Sequence, residues 1–145
     1  MHEDPVVDGH ISQDIFPCML RMGVTTAVGG NCGSNVYDPA EYLQIADRYG
    51  AAVNVALFAG HSSIRRKAGV KDKYASASRE QIARMEQYAD EALSAGCVGV
   101  SFGLRYVPGT QREEFHRVAA RCSGRSKLIS AHVRDDAAAI FDAIQ

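Results

Sequence analysis

The chain has 145 residues, of which 46% are hydrophobic and 23% are charged, and its 16 Lys and Arg against 17 Asp and Glu give a net charge of −1. This composition is ordinary for a soluble globular domain with a core of its own, and the balanced charge argues against binding to nucleic acid or an anionic membrane. No apolar run reaches the roughly 18 residues of a membrane helix, and the N-terminus lacks the pattern of a signal peptide. The four cysteines form neither a CxxC pair nor a disulfide framework, which favours a reducing, cytoplasmic location.

Helical and strand patterns alternate along the chain. Apolar residues at helical spacing and short apolar runs predict, in order, a helix over 15–22, a strand over 24–30, a helix over 38–49, a strand over 51–58, a helix over 78–95, a strand over 97–103, a helix over 110–122, a strand over 127–133 and a helix over 137–144. This βα alternation predicts a parallel sheet covered by helices. With PVVDGHI (5–11) counted as a strand, the sheet has about five strands.

Capping residues support three of the helix starts. They are Asp38 with Pro39, Ser78 with Gln81, and Thr110 with Glu113. Glycines close four of the helices and lead into strands, namely Gly23, Gly50, Gly96 and Gly124. On the apolar helix faces and in the strands, Cys18, Cys97 and Cys122 are expected in the core, and Ser101 is expected to be a strand residue facing the sheet interior.

The stretch 60–76, GHSSIRRKAGVKDKYAS, carries no clear periodicity. It contains five basic residues, Arg65, Arg66, Lys67, Lys71 and Lys73, against Asp72. One interpretation is a solvated loop. The other is a lid or substrate loop, because long loops in compact domains are often functional.

Residues suited to metal chemistry follow the predicted strands. Parallel α/β sheets place their functional residues at the carboxyl ends of the strands. The residues expected at that edge include Cys32, His61, Tyr106, His132 and Asp135. Cysteine, histidine and aspartate converging there form the composition of a metal site.

Three motifs in order and in register resemble the N-acyl-D-amino-acid deacylases (D-aminoacylases) of the amidohydrolase superfamily. They are GVTTAVGGNCG (23–33), VGVSFGLRYVPG (98–109) and SAHVRDD (130–136), and together they span nearly the whole chain. The resemblance implies part of a TIM (β/α)₈ barrel, zinc as the cofactor, and hydrolysis of the amide bond of N-acyl-D-amino acids.

The resemblance also implies roles for single residues. Cys32 is the expected thiolate zinc ligand, His132 the expected histidine ligand, and Tyr106 is expected to line the substrate pocket. Arg134 and Asp135 are expected either to position His132 or to bind a substrate carboxylate, and Asp135 could equally cap the last helix. His61 could lie on the substrate loop or in solvent.

The superfamily carries a HxH pair on its first strand, for which two placements are possible. One uses His10-Ile11-Ser12, with serine in place of the second histidine. The other, which we prefer, uses His2 as the second histidine and Met1 as the middle residue, because the 21 residues from His2 to Gly23 fit the family spacing better. His2 is then a further expected zinc ligand.

The chain is short for a complete enzyme of this kind. A whole barrel needs about 200–250 residues, whereas residues 1–145 provide roughly five βα units and are expected to form the N-terminal portion of the barrel. The later histidine and the catalytic aspartate are expected beyond Gln145, so no catalytic acid–base residue is assigned and the chain alone is expected to be inactive. Open sheet edges predict self-association.

Two other interpretations stay open. The length suits a non-catalytic, five-stranded, flavodoxin-like domain that binds a ligand or partner, although GGNCGSN (29–35) is only weakly like a phosphate loop. The chain could also be an inactive remnant. For Cys32 taken alone, the simpler interpretation is a small buried cysteine in a tight turn.

Overall fold

The computed structural model describes residues 15–144 and, before them, the backbone of two short strands. The elements in chain order are β1 (Val6–Val7), β2 (His10–Ile11), α1 (Ile15–Arg21), β3 (Thr26–Gly29), a 3₁₀ turn (Asn31–Gly33), α2 (Pro39–Tyr49), β4 (Asn54–Gly60), α3 (His61–Lys67), α4 (Arg79–Ser94), β5 (Gly99–Gly103), α5 (Arg112–Ala119), a second 3₁₀ turn (Ala120–Cys122), β6 (Leu128–His132) and α6 (Ile140–Ala143). His2 lies outside the described residues.

Four of the strands form one parallel sheet in the order β3-β4-β5-β6. The predicted α/β class with parallel strands and flanking helices is therefore confirmed. The segment counted as a fifth strand does not join this sheet, because β1 and β2 pair antiparallel with each other. The uninterrupted strand order also differs from a flavodoxin-like sheet, in which the second strand lies outside the first in the order 2-1-3-4-5, so the flavodoxin-like fold of that alternative is wrong.

Two of the three predicted helix caps are present. Asp38 accepts a hydrogen bond from the Ala40 N–H at the start of α2, and Ser78 and Gln81 form a reciprocal capping box on α4. The third prediction is wrong, because α5 begins after Gln111 and Thr110 makes no cap. The Thr110 N–H instead bonds the Val107 carbonyl in the preceding turn, which carries the threonine side chain into the interior.

The last helix is shorter than its apolar pattern predicts. α6 covers only Ile140–Ala143, because the carboxylate of Asp135 accepts hydrogen bonds from the Ala137 and Ala139 N–H groups and closes a turn there. The two N–H donors also hold the pKa of Asp135 below its usual value. Asp135 therefore closes the turn before α6 and does not cap the helix, which begins after Ala139 without a side-chain cap.

The stretch 60–76 is not the continuous loop that its sequence indicates. Its first part forms α3, in which His61, Ile64 and Arg65 are buried, and only the part after Lys67 is irregular. The apolar spacing of a helix is not visible in this part of the sequence, because two of its three inward-facing residues are polar.

The main core lies between the sheet and the helices α2 to α5. Its fully buried side chains include Tyr42, Leu57, Met85, Val100, Phe102 and Val118. Each such side chain contributes roughly 1.5–3 kcal/mol on burial, so this layer, rather than single surface contacts, holds the strands in register. The core positions predicted for Cys97 and Cys122 are confirmed, whereas Cys18 is exposed. Among the described residues, no helix has both the length and the hydrophobicity needed to cross a membrane.

Candidate metal centre

Cys32 lies in a tight turn directly after β3. Its backbone has φ 55° and ψ 27°, in the left-handed region that residues with a Cβ avoid. Gly30 and Gly33 on either side also have positive φ, of 75° and 81°. Left-handed backbone costs a non-glycine residue roughly 1–2 kcal/mol, so other contacts must hold Cys32 in this conformation.

One side chain from β5 bonds both ends of the turn. The Ser101 hydroxyl accepts a hydrogen bond from the Gly33 N–H at 3.0 Å and donates one to the Gly30 carbonyl. Ser101 is fully buried, so water does not compete for these bonds. The sequence predicts a strand residue at Ser101, and Ser101 lies in β5 with its side chain buried. The structure adds that its hydroxyl fixes the Cys32 turn.

Close backbone packing explains why the turn is surrounded by glycine. A Cβ placed on Gly103 would lie 2.1 Å from the Cys32 carbonyl oxygen, and one placed on Gly60 would lie 2.6 Å from the Gly33 carbonyl carbon. The ends of β4 and β5 therefore touch the turn through bare backbone. Any larger residue at these positions would push Cys32 away from the sheet.

His132 ends the neighbouring edge strand and faces Cys32. Its partner in the register is Gly103, which places the imidazole on the same side of the sheet as the turn. The Cys32 Sγ and His132 Nδ1 atoms are 3.6 Å apart. Zinc bonds of about 2.3 Å to sulfur and 2.0–2.1 Å to nitrogen, at a tetrahedral angle, separate the two ligand atoms by about 3.6 Å. The pair therefore fits one zinc ion, although the distance also suits a thiol–imidazole hydrogen bond.

Two further side chains contact the His132 ring. Tyr106 packs against it edge-on, with the ring centroids 4.9 Å apart. The Asp136 Oδ2 atom lies 3.8 Å from His132 Nε2. Because Asp136 faces Nε2, it is placed to orient the imidazole while Nδ1 faces Cys32.

The described residues bring two candidate ligands together but do not form a complete metal site. Within residues 15–144, no group of three or more His, Cys, Asp or Glu side chains is arranged to hold a metal ion. A catalytic zinc usually has three protein ligands and one open position. His2 is the remaining expected ligand, and it falls outside the described part of the chain.

Cys32 is reached from two sides. One pocket of about 340 Å³ runs between the Cys32 turn, the start of α3 and Tyr106. A second, shallower opening of about 490 Å³ exposes Cys32 together with His132 and Asp136. Tyr106 lines the first of these pockets together with Cys32, and its contact with a substrate stays a prediction.

Arg134 has hydrogen bonds to the protein backbone. Its guanidinium donates to the carbonyls of Pro108 and Thr110, joining the end of β6 to the loop after β5. Its proposed contact with a substrate carboxylate stays a prediction, since these bonds already use two of its donors.

His61 occupies a different environment from the one predicted. Its side chain is 1% exposed, and its Nε2 atom lies 2.8 Å from the Glu114 carboxylate. Its ring packs against Phe102 in the core. In this position the imidazole can contact neither solvent nor a substrate at the ends of the strands, which corrects both expectations for His61.

Glu114 is the centre of a buried ionic network that the sequence analysis missed. Arg65 donates to the same carboxylate oxygen at 2.8 Å and also bonds the carbonyls of Asp72 and Ala75. Burial alone would raise the pKa of Glu114, but the hydrogen bonds from His61 and Arg65 outweigh it and hold the pKa below its usual 4.5. The available signal was helical spacing, because Glu114 precedes the inward-facing Val118 by four residues.

The sequence is similar to those of characterised deacylases. D-aminoacylase of Alcaligenes xylosoxydans xylosoxydans is 30% identical over 96% of this chain and 35% of its own length. N-acyl-D-glutamate deacylase of the same organism is 30% identical over 84% of this chain and 30% of its own length. The chain thus spans about a third of the length of these curated relatives. It matches no protein-family model.

Solved structures extend the similarity to the fold. N-acyl-D-glutamate deacylase from Bordetella bronchiseptica, complexed with zinc and a phosphonate inhibitor, superposes with a TM-score of 0.86 and 26% identity over 99% of this chain and 35% of that enzyme. A D-aminoacylase that defines a novel subset of amidohydrolases gives a TM-score of 0.82 and 28% identity over 91% of this chain and 33% of its own. The sheet and helices therefore correspond to part of an amidohydrolase barrel. In sequence and in fold, over nearly its whole length, this chain is related to the N-acyl-D-amino-acid deacylases.

Proposed function

We propose that Cys32 and His132 are ligands of a zinc ion in a site that hydrolyses the amide bond of N-acyl-D-amino acids. The observation that supports this most directly is the 3.6 Å separation of Cys32 Sγ and His132 Nδ1, which equals the spacing of two ligands on one tetrahedral zinc. Thiolate and imidazole are ligands that zinc favours. The relatives named above supply the reaction and the substrate class.

The chemistry assigns a protonation state to each ligand. Cys32 acts as thiolate, and His132 must carry its proton on Nε2 so that the Nδ1 lone pair faces Cys32. Asp136, whose Oδ2 atom is 3.8 Å from Nε2, is beyond hydrogen-bond distance and acts on this tautomer through its negative charge. When bound, zinc polarises an amide carbonyl and lowers the pKa of a bound water to about 7. Tyr106 restricts the His132 ring from one side and forms a wall of the substrate pocket.

His2 is proposed as a further zinc ligand, on the strength of the sequence resemblance. The proton transfer to the leaving amine needs a positioned acid–base group, and none is assigned among the residues of the matched motifs. We therefore propose that residues 1–145 belong to the N-terminal portion of the barrel and do not complete the reaction alone. A cytoplasmic location remains a proposal from the cysteine pattern.

Cobalt substitution tests the metal site directly. Cobalt bound through a thiolate gives a near-ultraviolet charge-transfer band, so we expect this band in the unmodified chain and its loss in Cys32→Ser and His132→Ala. Cys18→Ser is the matched control, because Cys18 is an exposed cysteine outside the site. Cobalt binding that survives Cys32→Ser with the same spectrum would contradict the proposed ligand.

We also propose that the sheet edge at β6 mediates self-association. β6 pairs only with β5 among the described strands, and its neighbouring residues Leu128 and Ile129, which point to opposite faces, are 60% and 51% exposed. An edge strand with apolar side chains on both faces is a template for pairing. Sedimentation should show a dimer or larger species, and Ile129→Lys should shift it to monomer; a monomer at every concentration would overturn the proposal.

A further inference from the structure

The irregular segment between α3 and α4 forms part of the wall of a pocket beside Cys32. We call this segment, residues 70–76, the strap. Val70, Lys71 and Lys73 of the strap line the pocket of about 340 Å³ that also contains Cys32 in its wall. The position of the strap therefore decides how wide the pocket is on that side.

The ends of the strap are fixed, whereas its middle is not packed into the core. The Gln81 side chain bonds the Gly69 carbonyl just before the strap, and the capping box at Ser78 follows it. Val70 is buried, but no side chain of residues 71–76 is. Segments with so little buried apolar surface open locally more easily than the core does. Bonds to the backbone of the strap must therefore hold its middle in place.

Arg65 bonds the strap from the protein interior. Its side chain is 2% exposed, its Nη1 atom donates to the Asp72 carbonyl at 3.0 Å, and its Nη2 atom donates to the Ala75 carbonyl. Its Nε atom donates to Glu114 Oε1 at 2.8 Å. One buried cation therefore connects the strap to both α3 and α5.

Glu114 orients the guanidinium toward the strap. Arginine often binds a carboxylate through two parallel hydrogen bonds, one to each oxygen. Here His61 and Arg65 both bond the Oε1 atom of Glu114, and within the described part of the chain the buried Oε2 atom has no hydrogen-bond partner. The carboxylate thus occupies only the Nε donor of Arg65 and leaves both terminal nitrogens for the strap carbonyls.

A second contact joins the strap to the loop after β5. The Gly109 N–H donates to the Lys73 carbonyl at 2.9 Å, and a Cβ placed on Gly109 would lie 2.4 Å from the Ala75 carbonyl oxygen. The Gly109 amide therefore reports whether the strap is attached. The next amide along, that of Thr110, bonds the Val107 carbonyl within its own loop and reports on the loop alone.

We propose that the strap is a movable wall of the pocket beside Cys32, held closed by Arg65, which Glu114 positions. In the open state the bonds from Arg65 and Gly109 to the strap are broken, while the sheet and the helices stay folded and the pocket is wider on that side. Opening requires no metal at Cys32, so it can be tested apart from the zinc assignment. The lid that is one interpretation of the stretch 60–76 then corresponds to the strap alone.

Amide hydrogen exchange of the unmodified chain tests whether the strap opens on its own. Because the Gly109 N–H bonds the strap, it should exchange through a local opening whose rate does not change in low denaturant. The Thr110 amide, and the Val98 amide that bonds the Leu57 carbonyl in the sheet at 2.8 Å, should exchange more slowly. Exchange of Gly109 only together with Val98, by global unfolding, would overturn the proposal. Equal rates at Gly109 and Thr110 would assign the motion to the loop and overturn it as well.

Arg65→Lys tests the part played by the guanidinium. A lysine keeps the positive charge in the network, but its ammonium group lacks the planar fork that bonds the carboxylate and both carbonyls at once. Exchange at Gly109 should then be about tenfold faster relative to Val98. Arg66→Lys is the matched control, because Arg66 is exposed and bonds a serine of its own helix. Equal acceleration at both amides would show that Arg65 supports the whole fold, against the proposal; if the variant does not fold, exchange in the unmodified chain decides alone.

Alkylation of Cys32 tests the strap as a pocket wall. The pocket is one of two openings to Cys32, so Arg65→Lys should raise the rate at which iodoacetamide modifies Cys32 in the metal-free chain, while the exposed Cys18 keeps its rate. Trypsin should also cleave after Lys73 faster in this variant, with cleavage after Arg125 unchanged. A strap that opens without changing the Cys32 rate would not be a wall of this pocket, and the proposal would fail.

Discussion

Two histidines that follow strands of the same sheet have opposite environments. His132, at the end of β6, is 24% exposed and faces Cys32, whereas His61, directly after β4, is 1% exposed and bonds Glu114 in the core. The register explains the difference. His132 pairs with Gly103, and Gly60 pairs with Ser101, so His61 falls one residue later, on the face occupied by Phe102. A shift of one position decides between a side chain that faces Cys32 and one that packs in the core.

The largest expected effect concerns the buried network around Glu114, to which His61 belongs. Glu114→Ala leaves the buried Arg65 guanidinium without its carboxylate, and breaking such a pair typically costs about 3–5 kcal/mol in the free energy of unfolding. Denaturant unfolding measures the loss. Glu113→Ala is the matched control, because Glu113 is exposed on the same helix and its pair with Arg117 contributes little. Equal losses in the two variants would contradict the assigned network.

A smaller effect is expected at the Cys32 turn. Ser101→Ala leaves the Gly33 N–H and the Gly30 carbonyl without their buried partner, which costs about 1–3 kcal/mol. The Cys32 turn should then open more often, so Cys32 should react faster with iodoacetamide while Cys18 keeps its rate. An unchanged Cys32 rate in a destabilised variant would show that Ser101 supports the sheet and not the turn.

The strain at Cys32 can be measured with two substitutions that both remove the thiol. Because the φ of Cys32 is 55°, Cys32→Gly should be more stable than Cys32→Ala by about 1 kcal/mol. Thermal unfolding of the two variants gives this difference directly. Equal stability would mean that the turn relaxes once the sulfur is gone.

The smallest expected effect is a pH dependence. The pKa of Glu114 is below its usual 4.5 in the folded chain, so folding favours the deprotonated carboxylate. Its contribution to stability is complete above pH 4.5 and is lost as the pH falls through the lowered pKa. Unfolding curves of the unmodified chain and Glu114→Gln should therefore converge at acidic pH. A difference in unfolding free energy between the two proteins that stays constant as the pH falls would contradict the lowered pKa.

The order of helices and strands is predicted from sequence more accurately than the buried polar groups are. The same holds for the approach of Cys32 to His132. Apolar periodicity and caps such as Ser78 with Gln81 depend on neighbouring residues, so they can be recognised locally. The His61 and Glu114 pairing joins residues 53 positions apart and depends on the strand register, which no local pattern encodes. The same holds for Ser101, whose bonds to the Cys32 turn appear only when β3, β4 and β5 lie side by side.

The residues around the Cys32 turn are far apart in the sequence, and this separation has a consequence for biosynthesis. Gly33, next to Cys32, bonds a serine 68 residues later, and Cys32 itself contacts a histidine 100 residues later. Because chains emerge from the ribosome N-terminus first, the thiol is synthesised long before either partner exists. The pairing of Cys32 with His132 therefore forms only after β6 has emerged, and until then the nascent cysteine depends on a reducing environment to stay unmodified.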